Sequence, residues 1–210
     1  MLVSADRPNR LPIVALLIAN AISLIGNSLT VVAIPWFVLT TTGSASKAGL
    51  TAAFEFAPAF FAGIVGGAVI DRIGPRTAAI IADVVSGVAI LMIPLLYNTG
   101  GLAFWQLLVF VLLGSMLSIP GVTARRALLP ELARLGDVRL DRVNAILEGN
   151  QHLALFIGPP LAGVLIALTG ASNVLWIDGA TSLISVATIV LLVPEMRSTV
   201  RVVTNLGFVA

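Results

Sequence analysis

The 210-residue chain contains no cysteine and only one histidine. Without cysteine it can form no disulfide, thiolate metal site or cysteine nucleophile, and the absence carries no redox clue to compartment. The single histidine leaves no His/Glu pair at zinc-ligand spacing. Neither a phosphate-binding glycine loop nor a serine nucleophile beside a base is evident, so an enzyme reading is thin and no cofactor or metal is expected. Charge is scarce too: Asp, Glu, Lys and Arg make up 10% of the chain, against roughly 25% in a soluble domain. So few charges cannot cover a water-facing surface. With 58% hydrophobic residues and a mean hydropathy of +1.06, most of the chain is expected to have lipid as its solvent. The sequence pI of about 9.9 reflects a net charge of only +2 spread through short loops, which does not make a nucleic-acid surface.

What is present is a series of apolar runs, each near the ~20 residues an α-helix needs to cross a bilayer. Six fit: residues 11–39, 48–70 (interrupted by Glu55), 77–96, 102–123, 143–168 and 174–193. Polar or glycine-bearing turns separate them at 40–44, 71–76, 97–101 and 169–173, and residues 125–142 read as a longer polar segment. The first run is too long, and too close to Arg10, for a cleaved signal peptide. The expected organisation is a tail at 1–10, an all-α six-helix bundle at 11–194, and a tail at 195–210. If the helices alternate, eleven basic residues (Arg7, Arg10, Arg72, Arg76, Arg125, Arg126, Arg134, Arg139, Arg142, Arg197 and Arg201) fall on one side and Lys47 alone on the other. Retention of Lys and Arg in cytoplasmic loops then predicts that both termini are cytoplasmic.

The two three-helix halves echo each other loosely. Ala33-Ile34-Pro35 near the end of the first helix matches Ser118-Ile119-Pro120 near the end of the fourth, each after a glycine, Gly26 or Gly114. Inverted repeats with Gly/Pro-interrupted helices in corresponding places are a transporter signature.

The pattern Gly67, Asp71, Arg72, Gly74, Arg76 resembles the loop between helices two and three of the major facilitator superfamily. Gly158-Pro159-Pro160-Leu161-Ala162-Gly163 is similar to the helix-five motif of its proton-coupled exporters. Gly26-Asn27 with Thr30, Ala33, Pro35 and Trp36 resembles helix one of the branch containing enterobactin and macrolide exporters, and the runs 125–130 and 175–178 also resemble that branch. Pro75 stands where the loop motif usually has a basic residue, and Ala162 where the helix-five motif usually has a second glycine. Members of the superfamily usually have twelve helices, so the likeness is to the N-terminal half. It implies secondary active efflux of a small amphipathic molecule with proton antiport in the cell membrane, partnered by a second six-helix half or a second copy. The other reading is a truncated, non-transporting membrane protein or partner subunit.

The resemblance implies a conformational latch at the loop, with Asp71 pairing with Arg76 or facing the positive end of helix three; a plain topogenic turn is the alternative. Acids inside membrane helices cost on the order of 2.5–3.5 kcal/mol each and call for a cavity or a partner. Glu148 and His152, four apart on one helix face, could carry a proton, or Glu148 could pair with Arg125 or Arg126. Asp83 is a further candidate for proton coupling, or else a structural acid, since it lies close enough to the arginine-rich side to reach an arginine. Glu55 serves either cation or proton binding or an interhelical contact. Gly158, Pro159 and Gly163 suit either a functional bend or tight packing. Trp36, Trp105 and Trp176 read as interface anchors.

Overall fold

The computed structural model describes residues 9–58, 70 and 72–195. Among these the chain forms six α-helices and no strand: α1 (Leu11–Thr42), α2 (Ala45–Phe56), α3 (Pro75–Asn98), α4 (Phe104–Leu135), α5 (Leu140–Thr169) and α6 (Ala171–Leu192). All but α2 are long and apolar enough to span a membrane. The run expected at 48–70 begins as α2, and most of its remainder lies outside the described residues.

The turns fall where the sequence places glycine. α1 closes at Gly43, whose left-handed φ of 67° lets its N–H reach the Leu39 carbonyl at 2.9 Å. Ser44 then starts α2 by accepting a bond from the Lys47 amide. Gly74 takes φ 83°, a conformation that penalises any Cβ, and Pro75 follows in the first turn of α3, where its missing N–H costs nothing.

Two helices run further than hydropathy suggests. α1 carries Thr40, Thr41 and Thr42 because each hydroxyl donates to a carbonyl one turn back. α4 continues to Leu135, through the segment that reads as polar from Arg125 onward. That segment is amphipathic: Leu128, Leu129, Leu132 and Ala133 are buried, and Arg125 is buried with a partner.

The helices pack as two related pairs. α1 lies along α6 and α3 along α4, with α3 against α6 and α1 against α5 joining them. Mapping helices one to three onto four to six exchanges the α1–α6 pair with the α3–α4 pair, as two repeated halves require. Two apolar clusters result. One, at the arginine end, includes Ile13, Leu16, Ala79, Leu128, Leu132, Val143 and Ile189; the other, at the opposite end, includes Leu29, Ile34, Phe37, Ile93, Val111, Val174 and Leu175. Along α1, α3 and α6, the buried polar residues Asn20, Ser23, Asp83, Asp178, Ser182 and Ser185 fall between the two clusters.

Candidate translocation cavity

The buried polar layer divides into a closed network and an open one. In the closed network, Arg125 Nη1 donates to both carboxylate oxygens of Asp83 at 2.7 Å, its Nε donates to Asn20 Oδ1 at 3.1 Å, and Ser185 Oγ donates to Asp83 Oδ2 at 2.7 Å. Four helices, α1, α3, α4 and α6, meet here. The Arg125 side chain is 1% exposed and that of Asp83 8%. An ion pair this dry is tolerated because Asn20 and Ser185 add hydrogen bonds to it, although the Nδ2 of Asn20 itself finds no partner among the described residues. Asp83 therefore has its arginine, and the pair is a tie between helices.

The open network borders a cavity of about 200 Å³ between α1, α2, α3, α4 and α6. Its polar lining is Asn27, Thr30, Glu55, Ser86, Ser115, Ser118 and Asp178, and its apolar lining includes Val31, Ile34, Ile90, Val111 and Ile119. Ile34 and Ile119, from the two echoing Ile-Pro segments, thus meet at one cavity. Asp178 is buried, and its Oδ2 accepts the Thr30 hydroxyl. Its Oδ1 and the Oε2 of Glu55 have no hydrogen-bond partner among the described residues. Gly26 helps to seat the acid: a Cβ there would collide with Asp178 Oδ1 and Thr181 Oγ1. Among the described residues no Lys, Arg or His lines this cavity.

Asp178 was not among the acids singled out by sequence. The signal was available, since Asp178, Ser182 and Ser185 recur at helical spacing in an otherwise apolar run, as do Asn20, Ser23, Asn27 and Thr30 on α1.

The remaining sequence candidates lie elsewhere. Glu148 pairs with Arg126 at 2.7 Å, both side chains about half exposed, and Arg126 also donates to Gln151 at 3.0 Å. His152 is exposed beside Leu153 and Phe156 on the outer face of α5, away from the cavity that holds Glu55 and Asp178. Gly158 is buried where α5 meets α1; a Cβ would strike the Ser28 side chain, whereas Gly163 faces open space and Pro159 is exposed. Of the loop pattern, Gly67 and Asp71 lie outside the described residues. Arg72 is exposed and Gly74 makes the turn. Arg76 reaches the end of α6, donating through Nε to the Val193 carbonyl at 2.8 Å and through Nη2 to the Val190 carbonyl at 2.9 Å, with Glu195 at 3.4 Å. A guanidinium there satisfies carbonyls that the helix leaves free and neutralises its negative end.

A second cavity, about 410 Å³, continues from the first. The two share Asn27, Val31, Ser118 and Ile119, and the second extends to Thr123, Arg126 and Gln151. A polar-floored path therefore runs from the buried acids toward the arginine end.

The family model described as "Major Facilitator Superfamily" matches residues 16–206. The chain belongs to the major facilitator superfamily. Among curated proteins of the superfamily it is similar to the "Multidrug efflux pump Tap" of Mycobacterium tuberculosis and of Mycobacterium bovis, 35% identical over 184 residues, which cover 86% of this chain and 44% of the relative. The Mycolicibacterium fortuitum pump of the same name is 31% identical over 181 residues, 85% of this chain and 44% of its own. The chain thus spans less than half the length of the relatives it matches. No solved structure matches it. Superfamily membership and the long apolar helices together make this a multi-pass membrane protein of the all-α transporter fold.

Proposed function

We propose that the chain is the N-terminal half of a secondary active exporter in the cell membrane, moving a small amphipathic molecule outward in exchange for protons. The observation that carries this reading is the cavity whose lining, among the described residues, includes two acids with unpartnered carboxylate oxygens and no basic residue. Apolar walls penalise the charged form of a carboxylate, so that either a proton or a cationic group can relieve the charge, and that competition is what a coupling group needs. Glu55 is the proton carrier in this reading. Asp83 is committed to Arg125, and the Glu148–Arg126 pair with His152 nearby stands at the exposed edge of α5, where bulk water offers an easier route for protons.

Protonation of Glu55 from the outer side removes the charge that holds the cargo, and rocking of the bundle against its complement exposes the cavity to the arginine end. Loss of the proton there restores the site for new cargo. The loop pattern Gly67, Asp71, Arg72, Gly74, Arg76 is the latch for one of these states, with Arg76 tying α3 to the end of α6 and Asp71 acting on the complementary half. That half is a second six-helix unit or a second copy, and the eleven-to-one partition of basic residues supports cytoplasmic termini.

The test is acid-inside everted vesicles holding the chain with its complementary helices, loaded with a fluorescent amphiphile outside. Uptake that rises with the pH gradient and collapses when the gradient is dissipated is the expected result. Uptake indifferent to the gradient removes the antiport; no uptake at all at full expression favours a non-transporting partner subunit.

A further inference from the structure

The internal repeat extends to single residues. A shift of 95 residues carries Ala45, which opens α2, onto Leu140, which opens α5, and brings the starts of α1 and α3 within two residues of those of α4 and α6. The same shift carries Gly26 onto Gly121, Thr30 onto Arg125, Pro35 onto Pro130 and Asp83 onto Asp178. The Ile34-Pro35 and Ile119-Pro120 echo belongs to a different register, which leaves the helix starts unmatched. The contacts follow the shift. Asp83 accepts from Arg125 and lies with Oδ1 toward Gly121; Asp178 accepts from Thr30 and lies with Oδ1 toward Gly26. Each aspartate is thus seated on a glycine of the other repeat's first helix, one turn before its hydrogen-bond donor. The remaining members of the closed network map the same way, Asn20 onto Ser115 and Ser185 back onto Ile90. Asp178, Thr30, Ser115 and Ile90 all line the cavity of about 200 Å³.

We propose that this cavity is the open twin of the Arg125 seat and that Thr30 is the positioning residue that keeps it open. In the first seat the long guanidinium side chain fills the crossing of α3 and α4, reaches Asp83 and Asn20, and makes the crossing a tie. In the second, the threonine hydroxyl reaches the aspartate and ends there, and the room that a guanidinium would occupy is cavity bordered by Ser115 and Ile90. A buried ion pair resists separation more than a hydrogen bond from a neutral donor does, because parting it strands two dry charges. α3 and α4 therefore move as one body, and the α1–α6 crossing is the one that yields when the bundle changes state. This deepens the exporter reading by naming what makes the cavity, and it rests on that reading only in treating the cavity as the path of the cargo.

The experiment is a double-mutant cycle on the full chain in lipid nanodiscs, read as melting temperature by tryptophan fluorescence. Thr30→Arg should fold, since its seat is preformed, and adding Asp178→Asn to it should lower the melting temperature by roughly 5 °C or more, the effect of stranding a buried guanidinium. Asp178→Asn alone, with Thr30 in place, should lower it much less, because an amide oxygen still accepts the hydroxyl. Adding Glu55→Gln to Thr30→Arg should also matter little. Equal losses from Asp178→Asn in the two backgrounds overturn the proposal, and so does an arginine whose stability depends on Glu55 instead. If Thr30→Arg does not fold, the reciprocal change decides: Arg125→Thr recreates the second seat at Asp83 and should melt roughly 3 °C or more above Arg125→Val, which has the same shape and no hydroxyl. Equal melting of that pair overturns the proposal. With the complementary helices present, folded Thr30→Arg should lose the gradient-driven flux of the parent, and parental flux in that variant counts against Thr30 in the same way. A parent that moves nothing ends the exporter reading and leaves the twin seat standing; flux in the parent with no Asp178 dependence in Thr30→Arg does the reverse.

Discussion

Arg125 on α4 places one terminal nitrogen 2.7 Å from both carboxylate oxygens of Asp83 on α3, although 42 residues separate them in the chain. Removing one partner leaves the other charged and dry. Arg125→Ala or Asp83→Ala should therefore destabilise the folded bundle by roughly 3–5 kcal/mol, whereas Arg125→Met with Asp83→Leu should recover most of that loss. Unfolding in mild detergent, followed by tryptophan fluorescence, measures both. A single variant as stable as the parent would mean that the pair is not the tie described.

The acids should separate cleanly in transport. Glu55→Gln is expected to bring gradient-driven flux down to that of vesicles without the protein, because the amide keeps the shape and cannot exchange a proton. Glu148→Gln breaks only a half-exposed pair, of the kind worth about 0–1 kcal/mol, and should retain most of the flux. The reverse order would return the coupling site to Glu148 and His152 on α5.

Within the helix-five motif the two glycines should respond differently. Gly158→Ala pushes a methyl into Ser28 on α1 and should cost about 1–3 kcal/mol. Gly163→Ala meets nothing within 4 Å and should be neutral or slightly stabilising, as expected of alanine in an open helical position. Thermal unfolding of the two variants side by side decides it, and equal losses would point to backbone flexibility as the motif's role.

Topology is open to direct mapping. Reporter fusions after residues 74 and 135 should report the cytoplasmic side, and fusions after 44, 99 and 171 the outer side, as the clustering of arginines requires. An external report at residue 135, where α4 ends, would break the up-down order of the helices.

Much of the fold was legible before any coordinates. Hydropathy, the glycine-bearing turns and the arginine partition located α1, α3, α5 and α6 within a few residues, because a helix in lipid must satisfy its own backbone and its length is set by the bilayer. The extension of α4 to Leu135 was less visible. Its last turns are amphipathic, and a hydropathy reading takes the paired arginines at 125 and 126 as an end when one of them is buried. The cavity was half legible: Glu55 stood out as an acid in an apolar run, while Asp178 passed as part of a family-like string even though its polar spacing with Ser182 and Ser185 marks one helical face.

The sequence by itself determined the class of solvent, the number and length of the apolar runs, and the side on which the basic residues gather. Each of those properties is local to one helix or to the ends of one helix. Which acid has a partner is not local. Asp83 and Asp178 sit in comparable apolar helices, and only the packing of α1, α3, α4 and α6 gives the first an arginine and leaves an oxygen of the second free. That choice belongs to the tertiary structure, because a buried charge is satisfied or left open by groups that approach from other helices, at distances along the chain over which no periodicity carries.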